Sequence, residues 1–134
     1  MTFRDRFLRV SWSILLLVAC STVAGAQVRI VQTNSRGDNI HLIDPSTNTI
    51  VGEIKGVPIN HGAAASPDGR WLYFTSEAEQ TLHVVDGKTL QTTKKIPLSG
   101  RPNNISINRD GSRVYVPADD GNLLVFEGEW GAAP

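Results

Sequence analysis

The sequence predicts an all-β fold of repeated four-stranded antiparallel sheets, the blades of a β-propeller, and three observations support this prediction. Residues recur at a spacing of 42 positions. Short apolar runs alternate with turn-forming spacers, and no segment has an apolar face of helical period. Side-chain bulk changes in the same order across the strands of each repeat. Repeats of this length are typical of solenoids and propellers.

The 42-residue period rests on identities at one gap-free offset. Asp68 returns as Asp110, and Tyr73 returns as Tyr115. The same offset relates five further identical pairs: Asp44 and Asp86, His41 and His83, Thr33 and Thr75, Thr47 and Thr89, and Ile54 and Ile96. So many identities without a gap indicate that one structural unit is repeated along the chain.

The alternation of apolar runs and spacers predicts ten strands in groups of three, four and three. Their expected bounds are residues 28–33, 39–44, 49–54, 61–66, 71–75, 81–86, 92–97, 104–108, 113–117 and 122–126. Many short strands with regular turn signals indicate an all-β sandwich, barrel or propeller.

Two kinds of turn separate these strands. In Ser66-Pro67-Asp68-Gly69, proline suits the second position of a type I turn, and glycine accepts the positive φ that follows. Asn108-Arg109-Asp110-Gly111 repeats this turn with Arg in the proline position. Asp44 and Asp86 each close a strand, where the carboxylate can accept backbone N–H groups in an Asx-turn.

Side-chain bulk distinguishes a propeller from the other all-β folds. The strand before each Asp-Gly turn is small, as in Gly62-Ala63-Ala64-Ala65. The next two are almost entirely apolar, which predicts that both of their faces are covered. The fourth is polar, and Lys94 and Lys95 suit an outer edge that must not recruit another strand. Small strands near an axis, bulky strands in the middle and a charged rim describe a propeller blade.

Residues 1–26 are expected to be a signal peptide. Arg4, Arg6 and Arg9 precede an apolar run, and Ala24-Gly25-Ala26 offers a small-residue cleavage site before Gln27. The apolar run is shorter than the about 20 residues that span a bilayer. We therefore expect a secreted or periplasmic protein without a transmembrane segment.

A second interpretation of the leader concerns Cys20. The sequence Leu17-Val18-Ala19-Cys20 resembles a bacterial lipobox, in which the cysteine is lipidated and becomes the mature N-terminus. The first predicted strand begins only eight residues later, at Val28, so an anchored domain would have almost no tether. Simple secretion is the preferred expectation, with a lipid anchor through Cys20 as the alternative.

Composition excludes several classes of partner and chemistry. Cleavage after Ala26 removes three of the thirteen basic and one of the thirteen acidic residues, leaving ten and twelve. A charge this close to neutrality gives no electrostatic basis for binding nucleic acid. The only cysteine is Cys20, so the chain after the leader can form no disulfide and has no reactive thiol. Its 108 residues make one domain at most.

With these residues in view, the chain resembles the YVTN family of β-propeller repeats, which are found in extracytoplasmic proteins of bacteria and archaea. Ser66-Pro67-Asp68-Gly69 followed by Trp71-Leu72-Tyr73 matches that family's pattern, as does the segment from Ile43 to Ile50, IDPSTNTI. Val114-Tyr115-Val116-Pro117 stands where the family's name tetrapeptide belongs, with Pro in place of Thr. The resemblance implies a partial propeller over residues 27–127, followed by a C-terminal tail at 128–134.

The ring is expected to be incomplete. A closed propeller needs roughly four to eight four-stranded blades, whereas ten strands supply about two and a half. Repeat arrays also need terminal units that cap their apolar faces, and no such cap is evident. We expect a piece of a longer propeller; the alternative is self-association through the exposed blade faces.

The candidate ligating and acid–base residues all have structural interpretations. His41 and His83 occupy the same position in successive repeats, which favours packing over a metal site, since zinc needs three or four converging ligands. Asp44 and Asp86, like Asp68 and Asp110, are expected to close turns rather than to act as acid–base pairs. The sequence therefore predicts no catalytic, cofactor-binding or metal-binding residues, and no cofactor.

If the chain binds anything, the segments that link successive sheets are the expected place, because loops on a rigid scaffold carry binding function. These are Pro58-Ile59-Asn60-His61 and Arg101-Pro102-Asn103-Asn104, which should reach the channel rim. His61 is the best ligand candidate among the histidines, although capping or a backbone hydrogen bond is the expected role.

The predicted function is that of a non-enzymatic, extracytoplasmic repeat protein that binds a protein or a small ligand at the propeller rim. The resemblance also leaves open a fragment of a propeller enzyme, either lactonase-like or of a periplasmic redox type. A third possibility is a product with no independent function.

Overall fold

A computed structural model describes residues 27–127 and contains ten strands and no helix in that range. The strands are β1 Ile30–Thr33, β2 Asn39–Asp44, β3 Thr49–Lys55, β4 Asn60–Ala65, β5 Trp71–Ser76, β6 Thr81–Asp86, β7 Thr92–Pro97, β8 Ser106–Ile107, β9 Arg113–Pro117 and β10 Leu123–Glu127. All ten predicted strands are confirmed, although β8 is shorter than expected. The predicted signal peptide and C-terminal tail lie outside the described residues.

The strands form three antiparallel sheets in which consecutive strands are neighbours. The first sheet has the order β1-β2-β3, the central sheet β4-β5-β6-β7, and the last sheet β8-β9-β10. This grouping matches the predicted three, four and three strands. The three sheets follow one another along the chain, as blades do, and the described part of the ring is not closed.

Both predicted kinds of turn are confirmed. The N–H of Gly69 donates to the carbonyl of Ser66 at 2.9 Å, and Gly69 has a φ of +70°. The Asp68 carboxylate accepts the N–H of Arg70 at 3.0 Å. A hydrogen bond from the Ser66 hydroxyl, followed by the one from the Arg70 N–H, lowers the pKa of Asp68. Local hydrogen bonds therefore fix the strand ends, as the sequence predicted.

Two apolar clusters hold the three sheets together. One lies between the first and central sheets: Ile40, Ile54, Val57, Leu72, Phe74 and Val85. The other lies between the central and last sheets: Tyr73, Leu82, Val84, Ile105, Val114 and Val116. Each fully buried side chain of this size contributes about 1.5–3 kcal/mol relative to an exposed one. The core is thus shared between neighbouring sheets rather than contained within any one of them.

The prediction that middle strands are covered on both faces is correct only for the central sheet. The five residues from Leu72 to Ser76 of β5 are all buried, whereas β10 alternates exposed and half-buried positions. Leu123 and Val125 are 61% and 48% exposed. The expectation was wrong for β10 because no described sheet packs against its outer face.

The first strand of the central sheet is small because a neighbouring segment approaches it closely. A Cβ added to Gly62 would lie 2.9 Å from the backbone carbonyl carbon of Asn104 and 2.9 Å from the Thr75 hydroxyl. The Gly62 N–H donates to that same hydroxyl. At the other edge of the sheet, Lys94 and Lys95 of β7 are exposed, as predicted. The gradation of bulk across the sheet is therefore confirmed.

Candidate binding site on the connector face

The segments that link successive sheets lie at one end of the strands, together with three of the turns. This end, here called the connector face, comprises residues 34–38, 56–59, 77–80, 98–105 and 118–122. The opposite end, the turn face, carries the Asp-Gly and Asx turns. The structure thus places both predicted rim segments on the same face.

Four polar side chains meet at the connector face and form what we call the rim cluster: His61, at the start of β4, with Glu77, Arg101 and Asn103. An Arg101 Nη2 donates to Glu77 Oε2 at 2.8 Å. Nδ1 of His61 lies 3.4 Å from Glu77 Oε1. The Asn103 amide nitrogen lies 3.4 Å from that same oxygen and 3.5 Å from His61 Nδ1. One carboxylate therefore sits at the centre of three nitrogen-bearing side chains.

Backbone hydrogen bonds position the cluster. The N–H of Glu77 donates to the carbonyl of Ile59 at 3.1 Å, which ties the end of β5 to the first connector. The N–H of Arg101 donates to Asp119 Oδ1 at 2.8 Å, and the Arg101 carbonyl accepts the N–H of Asp119 at 3.0 Å. The missing side chain of Gly62 lets the second connector approach β4, which brings Asn103 beside His61. Hydrogen bonds therefore hold the backbone that carries Glu77 and Arg101 in place.

The charges of the cluster are unequally exposed. The Glu77 side chain is 12% exposed, whereas those of His61 and Arg101 are 34% and 59% exposed. The hydrogen bond from Arg101 to Glu77, followed by their charge attraction, raises the pKa of Arg101, so the guanidinium stays charged. A guanidinium has five N–H donors in a rigid fork. The cluster therefore presents donors to solvent and keeps its acceptor underneath.

Glu77 was not predicted as a site residue. It follows β5 directly and stands 42 positions before Asp119. Both acidic residues donate their N–H to the carbonyl of a connector residue, Ile59 in one case and Arg101 in the other. The sequence did contain a signal, since both repeats have an acidic residue at this position. The residues are Glu in one repeat and Asp in the other, so the comparison of identical residues did not include them.

Other residues of the predicted rim segments have structural roles. Asn60 is fully buried, accepts the N–H of Asn34 at 2.7 Å and donates to the carbonyl of Val57 at 2.7 Å. Pro102 is buried and forms a β-bridge with Ala118. Of the two segments, only His61, Arg101 and Asn103 reach the rim cluster.

The histidines do not converge. The side chain of His83 is fully buried, and its Nε2 lies 2.8 Å from Glu79 Oε2, while its Nδ1 has no hydrogen-bond partner. His41 is on the first sheet, with its Nε2 3.9 Å from Glu53 Oε1. Within residues 27–127 no three His, Cys, Asp or Glu side chains are placed to hold a metal ion. The burial of His83 favours the predicted packing role.

Two concave spaces within residues 27–127 lie away from the rim cluster. A groove of about 620 Å³ lies at the turn-face end of the last sheet, beside Asn108, Asp110 and Glu127. A cavity of about 200 Å³ lies on the turn face between Pro67 and Asp110. The rim cluster is polar, and the side chains of His61 and Arg101 are 34% and 59% exposed. Because small ligands usually occupy enclosed, mostly apolar cavities, such a polar and exposed surface suits a macromolecular partner better.

The rim cluster has the donors needed to recognise a polar ligand. None of its four residues is a hydroxyl or thiol nucleophile, and its one histidine and one carboxylate fall short of the three or four ligands of a zinc site. The exposed donors can bind a carboxylate or another polar acceptor. Within residues 27–127 no helix is long and apolar enough to cross a membrane.

Comparisons with known proteins identify the fold. No family model and no curated protein matches the sequence. Among solved structures, a hydrazine synthase chain from Kuenenia stuttgartiensis is 25% identical with a TM-score of 0.70, over 74% of this chain and 29% of that one. The dihydro-heme d1 dehydrogenase NirN, in complex with DHE, is 22% identical with a TM-score of 0.65, over 75% of this chain and 22% of NirN.

A third similar structure is a chain of a mitotic checkpoint complex, at 16% identity and a TM-score of 0.67, over 75% of this chain and 32% of that one. These structure neighbours are β-propellers. This chain spans about a third of their length or less. The order of the sheets, the shared cores and these likenesses together make residues 27–127 a partial β-propeller.

Proposed function

We propose that the chain is a non-enzymatic β-propeller module that binds a protein partner through its connector face. The observation that carries the proposal is the rim cluster, in which β4 and the second connector bring His61, Arg101 and Asn103 around the carboxylate of Glu77, which follows β5. Such convergence is what a rigid scaffold provides when its loops form a recognition surface. The exposed guanidinium of Arg101 favours an acidic or carboxylate-bearing segment of a partner.

Arg101 gives the sharpest test of this proposal. Immobilised chain would be cross-linked to proteins of the extracytoplasmic fraction, and captured proteins would be quantified by mass spectrometry. We expect Arg101→Ala to lose a partner that the wild type retains, by about tenfold or more, because hydrogen bonds to a charged group contribute about 1.5–3 kcal/mol. Arg109→Ala, on the turn face, is the matched control and should keep the partner. Capture that is the same in Arg101→Ala, or lost in Arg109→Ala, would contradict the proposal.

A second candidate function is that of a piece of a propeller enzyme. The observation in its favour is the likeness to hydrazine synthase, whose chain is 25% identical and is matched over only 29% of its length. In that case the chemistry would require residues beyond those that meet in the rim cluster. Steady-state assays on the isolated chain would then show no turnover, and neither Arg101→Ala nor Arg109→Ala would alter partner capture.

We also propose an extracytoplasmic location, which rests on the basic start and the small-residue site of residues 1–26. Mass spectrometry of the mature N-terminus tests it. A first residue of Gln27 supports secretion, and a lipidated Cys20 supports the anchored alternative. A chain that retains Met1 would contradict both.

A further inference from the structure

The outer surface of the last sheet repeats a surface that is buried elsewhere in the same molecule. Val125 pairs with Tyr115 across β9 and β10, just as Val84 pairs with Tyr73 across β5 and β6. The spacing between Val84 and Val125 is 41 rather than 42, because Val125 stands 10 positions after Tyr115 whereas Val84 stands 11 positions after Tyr73. Leu123 is likewise the counterpart of Leu82. We call Tyr115, Leu123 and Val125 the last-sheet face.

The molecule itself shows what such a face packs against. In the central sheet, Tyr73, Leu82 and Val84 are 0% exposed, because the last sheet covers them with Val114 and Val116. On the last sheet the equivalent Leu123 and Val125 are 61% and 48% exposed. The same side chains in the same positions thus form a core when a neighbouring sheet is present. The natural occupant of the last-sheet face is another sheet of this repeat.

The first sheet carries a complementary outer surface. Its Ile30 pairs with Ile43 as Leu72 pairs with Val85 in the central sheet, and Leu72 and Val85 face the neighbouring sheet in the first apolar cluster. Ile30 is 49% exposed. We call Ile30, Gln32, His41 and Ile43 the first-sheet face. The first-sheet face therefore has apolar residues at the positions with which the central sheet contacts the first sheet. Gln32 is the exception, since it stands where the central sheet has Phe74.

We propose that two copies of this chain associate head to tail, with the last-sheet face of each copy packed on the first-sheet face of the other. This pairing repeats the interfaces that already join the three sheets within one copy. The first-sheet face of the second copy would cover the last-sheet face as the last sheet covers the central sheet. Contacts between unlike faces close into a ring when the rotation allows it. Two copies supply six sheets, within the roughly four to eight blades of known propellers.

Sedimentation velocity of the purified chain tests the association. We expect a dimer for the wild type. Val125→Lys should raise the dissociation constant by about 100-fold or more, because a lysine would be buried without a partner. Ile30→Glu should do the same from the opposite face. Leu123→Lys is a second variant on the last-sheet face. All three positions are exposed in the single chain, so far-UV circular dichroism should show wild-type strand content.

Mixing the two monomeric variants distinguishes head-to-tail from symmetric pairing. The Ile30→Glu chain keeps an intact last-sheet face, and the Val125→Lys chain keeps an intact first-sheet face. We expect an equimolar mixture to form a one-to-one dimer through that single intact pair. Association of two last-sheet faces would instead leave Ile30→Glu dimeric on its own, and the mixture would then contain Ile30→Glu homodimer but no heterodimer with Val125→Lys; either result overturns the proposal.

Val51→Lys is the matched control. Val51 is 49% exposed, almost equal to Val125, but it lines a cavity shared with Gly87 and Lys88 of the central sheet. It therefore lies on neither outer face, and this variant should remain dimeric. A monomeric wild type, open-ended polymers in place of a dimer, or loss of the dimer in Val51→Lys would each overturn the proposal.

Discussion

At the scale of the residue, the buried polar groups determine how the molecule responds to its conditions. His83 and Asn60 are both fully buried, yet their environments differ. Asn60 has partners for its amide oxygen and both amide N–H groups, whereas His83 has one partnered and one unpartnered ring nitrogen. With Nε2–H donating to Glu79, Nδ1 is an unprotonated acceptor. The neutral ring is therefore compatible with this environment, but a second proton has no acceptor.

His83 makes stability depend on pH. Burial, the largest cause, lowers the pKa of His83 in the folded state. The unfolded chain then binds an extra proton between the folded pKa and about 6.5, so the free energy of unfolding falls as the pH drops below about 6.5. The slope is at most about 1.4 kcal/mol per pH unit within that window. Urea denaturation from pH 8 to 5 measures it.

The variant His83→Phe tests this assignment. It should reduce the pH dependence of the free energy of unfolding below about pH 6.5, because the buried ring that gains a proton on unfolding is removed. Equal pH dependence in the wild type and His83→Phe would show that another group is responsible.

Gly62 is the second position where one residue controls the packing. Because a Cβ there would meet backbone of the second connector at 2.9 Å, Gly62→Ala should destabilise the fold by about 1–3 kcal/mol. It should also displace Asn103 from His61. The free energy of unfolding from urea denaturation checks the first effect. Gly37→Ala is the matched control, since its Cβ would meet the Asn39 side chain at 3.3 Å, which can move. Equal stabilities for the two variants would contradict the explanation.

At the scale of the element, every strand could be predicted from the sequence, because each is a short run of strand-forming residues bounded by a turn-forming segment. The Asx and Asp-Gly turns end strands through bonds within a few residues, and such local causes are visible in a sequence. The rim cluster depends on contacts between β4, the end of β5 and the second connector, which are distant in sequence. His61 and the Arg101 segment were named because they belong to connectors. Glu77 was missed because its repeat counterpart is Asp119 rather than a second glutamate, and because the position of its carboxylate between them depends on the fold.

Asn60 joins two elements and should be the most sensitive connector residue. Its side chain donates to the carbonyls of Val57 and Asn39 and accepts the N–H of Asn34. Asn60→Ala would remove one buried hydrogen bond, to the carbonyl of Val57, and two part-buried ones, to Asn34 and Asn39, at a cost of about 1–3 kcal/mol for each backbone group that water cannot reach. We expect a loss of at least about 2 kcal/mol in urea denaturation. Asn103→Ala, on the exposed rim, should change stability by less than about 0.5 kcal/mol. A similar loss in both variants would contradict the assigned role of Asn60.

At the scale of the whole molecule, the three sheets follow the same repeat, but their surroundings differ. Only the central sheet has a described neighbour on each side, and the 42-residue period could not reveal this, because equivalent sequences predict equivalent burial. The likeness to larger propellers is consistent with a piece of a longer ring. Whether the chain is truncated or self-assembled stays a prediction. The described sheets alone lead to one further expectation: local stability should be highest in the central sheet and lower in the last sheet.

Hydrogen exchange should display that gradient. In the monomeric Val125→Lys variant, amides of β5 and β6 should exchange most slowly, because both faces of these strands are buried and opening them disrupts both apolar clusters. Amides of β10 should exchange about tenfold faster or more, since β10 forms one edge of its sheet and one of its faces is open. Mass spectrometry of peptic peptides measures both. In a repeat array, stability is approximately a sum of unit and interface contributions, so wild-type dimerisation should slow exchange in β10 far more than in β5 and β6. Equal protection of β5, β6 and β10 in the monomer would mean that the three sheets unfold as one unit, with no weaker end.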